Sequence, residues 1–175
     1  RTYGAEVPPW YAGQCPLLEG ERAILAPGGK ALLLAVDCAT VKVLLQTPNP
    51  RGWKQTHTSI VPLEHAGRRM YVYVGSGGVA GVDAATGELL WDTDAWKIQI
   101  AAVASPIPVG DGRIFFAGGY NAGSLTLRLE PDGKRFKPAS EFRLAPEIFG
   151  ATQQTPILYE GFLYGVRPNG ELVCL

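Results

Sequence analysis

Short apolar runs separated by turn residues make up most of this chain, and the clearest example lies between Gly81 and Trp91. An apolar segment leads into the turn sequence Asp-Ala-Ala-Thr-Gly, and a second apolar segment follows and ends at Trp91. Two apolar runs joined by a turn that contains glycine predict a β-hairpin. Gly87 gives the turn its backbone freedom, and the side chains of Asp83 and Thr86 can accept hydrogen bonds from turn amides.

The pattern repeats at intervals of 46 and 47 residues. These are the separations (83 − 37 and 130 − 83) of Asp37, Asp83 and Glu130, the acidic residues predicted to end the third strand of each unit. Each unit has an apolar run opened by a small polar residue, a charged turn, a second run, a glycine loop and a third run, and every unit but the last has a fourth run. Four short antiparallel strands in a unit of this length are typical of a β-propeller blade. The alternative is a β-sandwich whose strands share the spacing by accident.

The period divides the chain into parts of one incomplete propeller domain. We expect a lead-in from a preceding blade at residues 1–14, then blades at residues 15–58, 59–104 and 105–154, and a partial blade at residues 155–175. The predicted fold class is all-β, a propeller segment of about four blades of four antiparallel strands.

We expect this segment to be internal to a longer protein, because it begins at Arg1 without an initiating methionine or a leader sequence. Open ends of a propeller would leave apolar sheet faces in water. The expected partners are therefore the remaining blades of a seven- or eight-bladed ring, within the range of about 4–8 blades that closed rings have.

Composition and charge exclude several functions. The 16 Lys and Arg residues balance the 16 Asp and Glu residues, so no net field favours nucleic acid or an anionic membrane surface. No apolar run approaches the ~18 residues of a membrane-spanning helix, so no transmembrane segment is expected. Cys15, Cys38 and Cys174 form no Cys-x-x-Cys pair, which argues against a zinc ribbon and predicts buried free thiols.

The motif of the second blade resembles the tryptophan-docking motif of the quinoprotein-like β-propellers. The matching residues are Gly81, where that family usually has alanine, Asp83, Thr86, Gly87 and Trp91. The first unit keeps Ala35, Asp37 and Thr40, with Val41 in place of the glycine and Leu45 in place of the tryptophan. In the third unit the corresponding residues are Glu130, Asp132, Gly133 and Phe136.

The resemblance implies candidate activities and a location. The family includes dehydrogenases that bind pyrroloquinoline quinone (PQQ) and Ca²⁺ on the propeller axis, and it includes the outer-membrane assembly lipoprotein. By resemblance, PQQ with Ca²⁺ is the candidate cofactor, and the bacterial periplasm or cell surface is the expected location. This segment contains no Cys-Cys pair of the kind found in many of those dehydrogenases. No catalytic residue and no metal ligand is assigned to it.

Candidate ligand-binding residues gather on one face of the predicted propeller. In a four-stranded meander, the loops that precede the first strand emerge on the same face as the loops that join the second and third strands. Their amides, aromatic rings, histidine and few cations suit a small polar ligand or a peptide. The candidates are Trp53, Lys54, His57, Trp96, Lys97, Gln99, Tyr120, Asn121, Gln153, Gln154, Arg167 and Asn169. The tryptophans can instead be wedges between blades, and the amides can instead satisfy loop backbone groups.

The function that the sequence favours is a binding or scaffolding domain whose ligand or partner contacts these loops. One alternative is a PQQ-dependent dehydrogenase whose catalytic carboxylates and metal ligands lie outside this segment. A second is a protein-interaction module that resembles the outer-membrane assembly factor and captures peptides by strand addition or loop contact.

Overall fold

The computed structural model describes residues 2–8 and 13–175, so the predicted lead-in at residues 1–14 lies partly outside the described residues. Within these ranges the chain forms fifteen β-strands and no helix. The strands are β1 (Leu17–Glu19), β2 (Arg22–Leu25), β3 (Ala31–Asp37), β4 (Val43–Pro48), β5 (Val61–His65), β6 (Arg68–Gly75), β7 (Gly78–Asp83), β8 (Leu89–Thr93), β9 (Ile107–Gly110), β10 (Arg113–Gly118), β11 (Gly123–Asp132), β12 (Arg135–Leu144), β13 (Ile157–Tyr159), β14 (Phe162–Val166) and β15 (Leu172–Cys174).

The strands form four separate antiparallel sheets, and strands that follow one another in sequence pair within each sheet. Sheet I contains β1–β4, sheet II contains β5–β8, sheet III contains β9–β12, and sheet IV contains β13–β15. The predicted all-β class and the predicted antiparallel meander of short strands are therefore confirmed.

Successive sheets pack against one another through apolar clusters. One cluster joins sheets I and II and contains Tyr71 and Tyr73. A second joins sheets II and III and contains Trp91 and Phe116, and a third joins sheets III and IV and contains Phe115. The inner strands are buried on both faces, which explains why β3, β6, β7 and β10 are nearly continuous apolar runs.

A series of hydrogen bonds joins the residues that open the four units. The backbone N–H of Cys15 donates to Ser59 Oγ at 3.3 Å, that of Ser59 to Ser105 Oγ at 3.0 Å, and that of Ser105 to Thr155 Oγ1 at 2.9 Å. Each first strand begins two residues after its opening residue. We call this series the hydroxyl ladder.

Each four-stranded sheet has a β-bulge at the same place between its third and fourth strands. The register shifts directly after the cross-strand pairs Ala35–Leu45, Gly81–Trp91 and Thr126–Phe142. In each sheet, the residue three positions after the first member of the pair donates its backbone N–H to a carbonyl near the start of the second strand of that sheet. These bonds run from Cys38 to Glu21 O, from Ala84 to Arg69 O and from Leu129 to Gly112 O. The three pairs are therefore structurally equivalent.

Two sequence assignments in the third unit are wrong. Strand β11 continues to Asp132, so Glu130 lies within the strand opposite Lys137 and does not end it. The bulge makes Phe142, not Phe136, the equivalent of Trp91. The hairpin of β11 and β12 is longer than the hairpin of β7 and β8. The two residues of the equivalent pair are 16 positions apart in sheet III (142 − 126) and 10 positions apart in sheet II (91 − 81).

Trp91 lies flat on Gly81 inside the packed space between sheets II and III. Its side chain is buried, and its Nε1–H donates to Met70 Sδ at 3.2 Å. A Cβ atom at Gly81 would lie 2.0 Å from Nε1, so a glycine is needed there for the indole to lie in this position.

The turn after β7 is held by the side chain of Asp83. Oδ1 accepts from the backbone N–H groups of Ala85 and Thr86, both at 2.9 Å, and Oδ2 accepts from Arg68 Nε at 3.1 Å. Burial raises the pKa of Asp83, but the bonds from Arg68 and the turn amides together outweigh burial and lower it. The carboxylate is therefore a structural acceptor in the turn.

The turn after β3 is also held by an aspartate that accepts from two turn amides, but it has a different residue at the position of Gly87. Asp37 Oδ1 accepts from the Thr40 hydroxyl and from the Thr40 backbone N–H, both at 2.7 Å, which lowers the pKa of Asp37. Val41 occupies the position of Gly87 and has a φ of 58°, close to the 75° of Gly87. A β-branched residue is strained in this left-handed region.

Glu19 ties sheet I to sheet II. It accepts from Arg69 Nε at 2.8 Å, from Arg22 Nη2 at 3.0 Å and from the Tyr71 hydroxyl. The bond from Tyr71 is the largest cause of the lowered pKa of Glu19. Burial, followed by the bond to Glu19, raises the pKa of Tyr71 to about 12.

The expectation that the cysteines are buried is wrong. Cys15, Cys38 and Cys174 are all free and exposed. Cys15 precedes β1, Cys38 lies in the turn after β3, and Cys174 is the last residue of β15.

Candidate ligand-binding face

A cavity of about 610 Å³ lies where the loops before the first strands approach the loop between β10 and β11. Its polar walls are His57, Tyr120 and Gln153, all three of which were candidates from the sequence. The rest of the lining is Gly13, Ile100, Ala101 and Val103. These residues come from five loops of the chain, so the cavity exists only when sheets I to IV pack in order. We call it the main cavity.

His57 is fixed in this cavity by two neighbouring loops. Its backbone N–H donates to Ala102 O at 3.1 Å, and its Nδ1 accepts from the backbone N–H of Gly13 at 3.1 Å. A neutral imidazole that accepts at Nδ1 carries its proton on Nε2. His57 therefore presents one defined N–H donor rather than a ring of undefined tautomer.

Tyr120 and Asn121 form a strained tight turn at the edge of the main cavity. Ala122 N–H donates to Gly119 O at 3.1 Å across the turn, and the φ angles of Tyr120 and Asn121 are 55° and 63°. Asparagine tolerates this left-handed conformation, whereas tyrosine rarely adopts it. Such strained residues cluster at ligand-contacting sites, and 44% of Tyr120 is exposed.

A second cavity, of about 290 Å³, adjoins the first and shares Tyr120 with it. Three candidates from the sequence, Asn121, Arg167 and Asn169, line it. Arg167 Nη1 lies 3.0 Å from Glu171 Oε2, and its Nη2 donates to Glu147 O at 2.6 Å. Asn169 Oδ1 accepts from the backbone N–H of Glu171 at 3.1 Å. The charge of Arg167 is thus already balanced within the chain.

Four other candidates are occupied by contacts within the fold. Trp53 is buried in the cluster between sheets I and II. Trp96 is buried in the cluster between sheets II and III, where the centre of its ring lies 5.9 Å from that of Phe116. Gln154 Nε2 donates to Val166 O, and Lys54 Nζ lies 3.2 Å from Glu6.

Lys97 and Gln99 are exposed and line neither cavity. The residues that the sequence missed are the apolar wall of the main cavity, Ile100, Ala101 and Val103, and the residue Gly13. The loop that starts at Trp96 continues through Ile100, and its length was the available signal. Polarity favours Lys97 and Gln99 as the ligand-binding residues of this loop, but the apolar residues that follow them line the cavity.

The walls of the main cavity do not fit Ca²⁺ with a quinone. Ca²⁺ takes 6–8 oxygen ligands, chiefly carboxylates and carbonyls, whereas the side chains here are an imidazole, a phenol and one amide. Among residues 2–8 and 13–175, no group of three or more His, Cys, Asp or Glu side chains is placed to hold a metal ion.

No protein-family model matches the chain, and no curated protein matches it significantly. In the part of the chain that the structure describes, no helix is long and apolar enough to span a membrane.

Proposed function

We propose that the chain forms successive blades of a quinoprotein-like β-propeller and acts as a binding or scaffolding domain. The hydroxyl ladder is the observation that carries the proposal, because it joins equivalent positions of four successive sheets by the same kind of hydrogen bond. Radial blades whose first strands surround an axis bring such positions together, whereas the two layers of a sandwich do not. The ring would be completed by further blades.

The ligand that best suits the main cavity is a small, polar, uncharged molecule or a short peptide. His57, Tyr120 and Gln153 offer hydrogen bonds around the cavity, and Ile100 and Val103 offer an apolar wall. A few convergent polar groups on an apolar surface are typical of ligand sites. By family resemblance we place the protein in the bacterial periplasm or on the cell surface.

The test is a titration of the purified protein with monosaccharides, amino acids and dipeptides, followed by NMR. Loss of one good hydrogen bond weakens binding about tenfold. We therefore expect His57→Ala and Tyr120→Ala to weaken binding by about this factor. Lys97→Ala and Gln99→Ala are the matched controls and should bind as the wild type does. Binding that is equally weakened by the control variants would contradict the assignment of the site.

A parallel titration with PQQ and Ca²⁺ separates the domain from a dehydrogenase. Absorbance reports binding of the quinone, and reduction of a dye reports turnover. Saturable binding with turnover would overturn the scaffolding proposal. A solved structure with strands shared between two stacked layers and no central axis would overturn the propeller.

A further inference from the structure

A cavity of about 240 Å³ lies between sheets I and II, beside their edge strands β4 and β8. Its apolar walls are Leu32 of β3, Ala80 of β7 and Leu89 of β8, together with Pro50 and Trp53 of the loop after β4. All of its lining residues belong to sheets I, II and III or to this loop, so neighbouring sheets of the chain enclose it on both sides. We call it the outer cavity.

The charged side chains of the outer cavity are two arginines and one aspartate, so one positive charge is unbalanced. Arg51 Nη2 lies 2.9 Å from Asp92 Oδ2, and these two charges neutralise each other. Arg51 Cζ also lies 5.9 Å from the centre of the Trp53 ring, a contact that favours this position of the guanidinium. The other arginine, Arg135, forms no ion pair within the ranges 2–8 and 13–175. The uncompensated charge of the cavity is therefore that of Arg135.

The side chain of Arg135 reaches out of its own hairpin to the neighbouring sheet. Its cross-strand partner is Asp132, which could balance its charge locally. Its Nη2 instead donates to Leu89 O of sheet II at 3.1 Å. This bond anchors the guanidinium at the wall of the outer cavity and uses only one of its several N–H donors. The remaining donors are available to a ligand.

We propose that the outer cavity binds a small monocarboxylic acid whose apolar part is about one ring in size. The carboxylate bonds Arg135, because it matches the planar fork of a guanidinium and supplies the single negative charge that the cavity lacks. The apolar part packs against Leu32, Ala80 and Leu89. The volume is below the range of about 300–1,000 Å³ that is typical of drug-sized ligands, which limits the ligand to a smaller molecule. The outer cavity shares no residue with the main cavity, so this site goes beyond the proposed function.

The first test titrates the wild-type protein with benzoate and with benzamide, its uncharged analogue of similar shape, and follows the methyl NMR signals of Leu32 and Leu89. Benzoate should shift both signals and bind about 3–10-fold more tightly than benzamide, the ratio that one net hydrogen bond supplies. In Arg135→Gln the two affinities should become equal. The matched control Lys134→Gln removes the adjacent exposed cation, which does not line the cavity, and should keep the wild-type ratio. No shift of these signals with benzoate, or an unchanged ratio in Arg135→Gln, overturns the proposal.

The second test leaves Arg135 in place and changes the ion pair beside it. Asp92→Asn removes the negative charge from the wall and should tighten benzoate binding about threefold at low salt, while benzamide binding stays the same. Asp94→Asn, at an exposed position outside the cavity, is the control and should leave both affinities unchanged. Unchanged or weaker benzoate binding in an Asp92→Asn variant that melts as the wild type does overturns the proposal. If Asp92→Asn melts at a lower temperature, the Arg135→Gln comparison decides.

Discussion

The backbone N–H of Ser59 donates to the hydroxyl of Ser105 at 3.0 Å, across 46 residues of sequence. The two residues open successive units, so the bond joins a position to its own repeat. The same bond recurs on both sides, from Cys15 to Ser59 and from Ser105 to Thr155. This regularity aligns the first strands of the sheets and keeps the loops before them side by side, where His57 and Gln153 line the main cavity.

Removal of one acceptor of the hydroxyl ladder should destabilise the protein. Ser105→Ala leaves the partly buried N–H of Ser59 unpaired, which costs about 1–3 kcal/mol. Ser105→Thr keeps the acceptor, as Thr155 does, and should stay close to wild type. Urea unfolding measures the free energy, and Ser140→Ala at an exposed position of β12 is the control. Equal stability of Ser105→Ala and Ser140→Ala would contradict a structural role for the ladder.

A methyl group at Gly81 should displace the Trp91 indole. Overpacking of this kind costs about 1–3 kcal/mol, and Trp91→Ala, which empties the space between sheets II and III, should cost about 3–5 kcal/mol. In the Trp91→Ala background, Gly81→Ala should become neutral or stabilising, because the clash is gone. A double-mutant cycle of unfolding free energies measures this coupling. Additive effects would show that the two residues do not touch.

Glycine at position 41 should stabilise the turn after β3. Val41 is held at a φ of 58°, and relief of a left-handed β-branched residue outweighs the entropy that glycine loses on folding, for a net gain of about 0.5–1 kcal/mol. The reciprocal Gly87→Val should destabilise by more than this amount. Val43→Gly, two residues away in β4, replaces a strand residue by glycine, which weakens a strand, and should be destabilising. A rise in melting temperature for Val41→Gly alone is the expected pattern.

The contact of Glu19 with sheet II should make stability depend on acid pH. The pKa of Glu19 is lowered in the folded protein, so its contribution is complete above the unfolded value of about 4.3 and is lost as the pH falls through the folded pKa. Glu19→Gln should therefore cost about 1–2 kcal/mol at pH 7, and the cost should shrink as the pH falls below the unfolded value.

The matched control for this experiment is Glu64→Gln. Glu64 also pairs with Arg69, at 2.7 Å, but its side chain is 71% exposed, and exposed pairs contribute little. Urea unfolding of both variants from pH 3 to pH 7 separates them. A difference between Glu19→Gln and wild type that is the same at both pH values would rule out the ionised carboxylate as the cause.

Local sequence was sufficient to place the strands, because an apolar run and the glycine turn beside it determine the conformation of only the few residues that they contain. The hairpin around Gly87 and the repeat that carries Asp37 and Asp83 follow from that chemistry. The third unit shows the limit. Its acidic residue keeps the period, yet the bulge pairs Thr126 with Phe142 and puts Arg128 where the other units have aspartate. The strand register determines which residues of a longer hairpin are equivalent to those of the shorter ones, and the register depends on how the strands pair across the sheet.

The ligand-binding face divides in the same way. The sequence by itself indicated which loops share a face, and six of the twelve candidates line the two cavities: His57, Tyr120, Asn121, Gln153, Arg167 and Asn169. Only the tertiary structure decided that Trp53 and Trp96 turn inward as core residues and that Ile100 and Val103 form a cavity wall. Polarity predicts that a residue is in a loop, whereas the direction of its side chain depends on the space that the neighbouring sheet leaves. That space exists only after the sheets have packed.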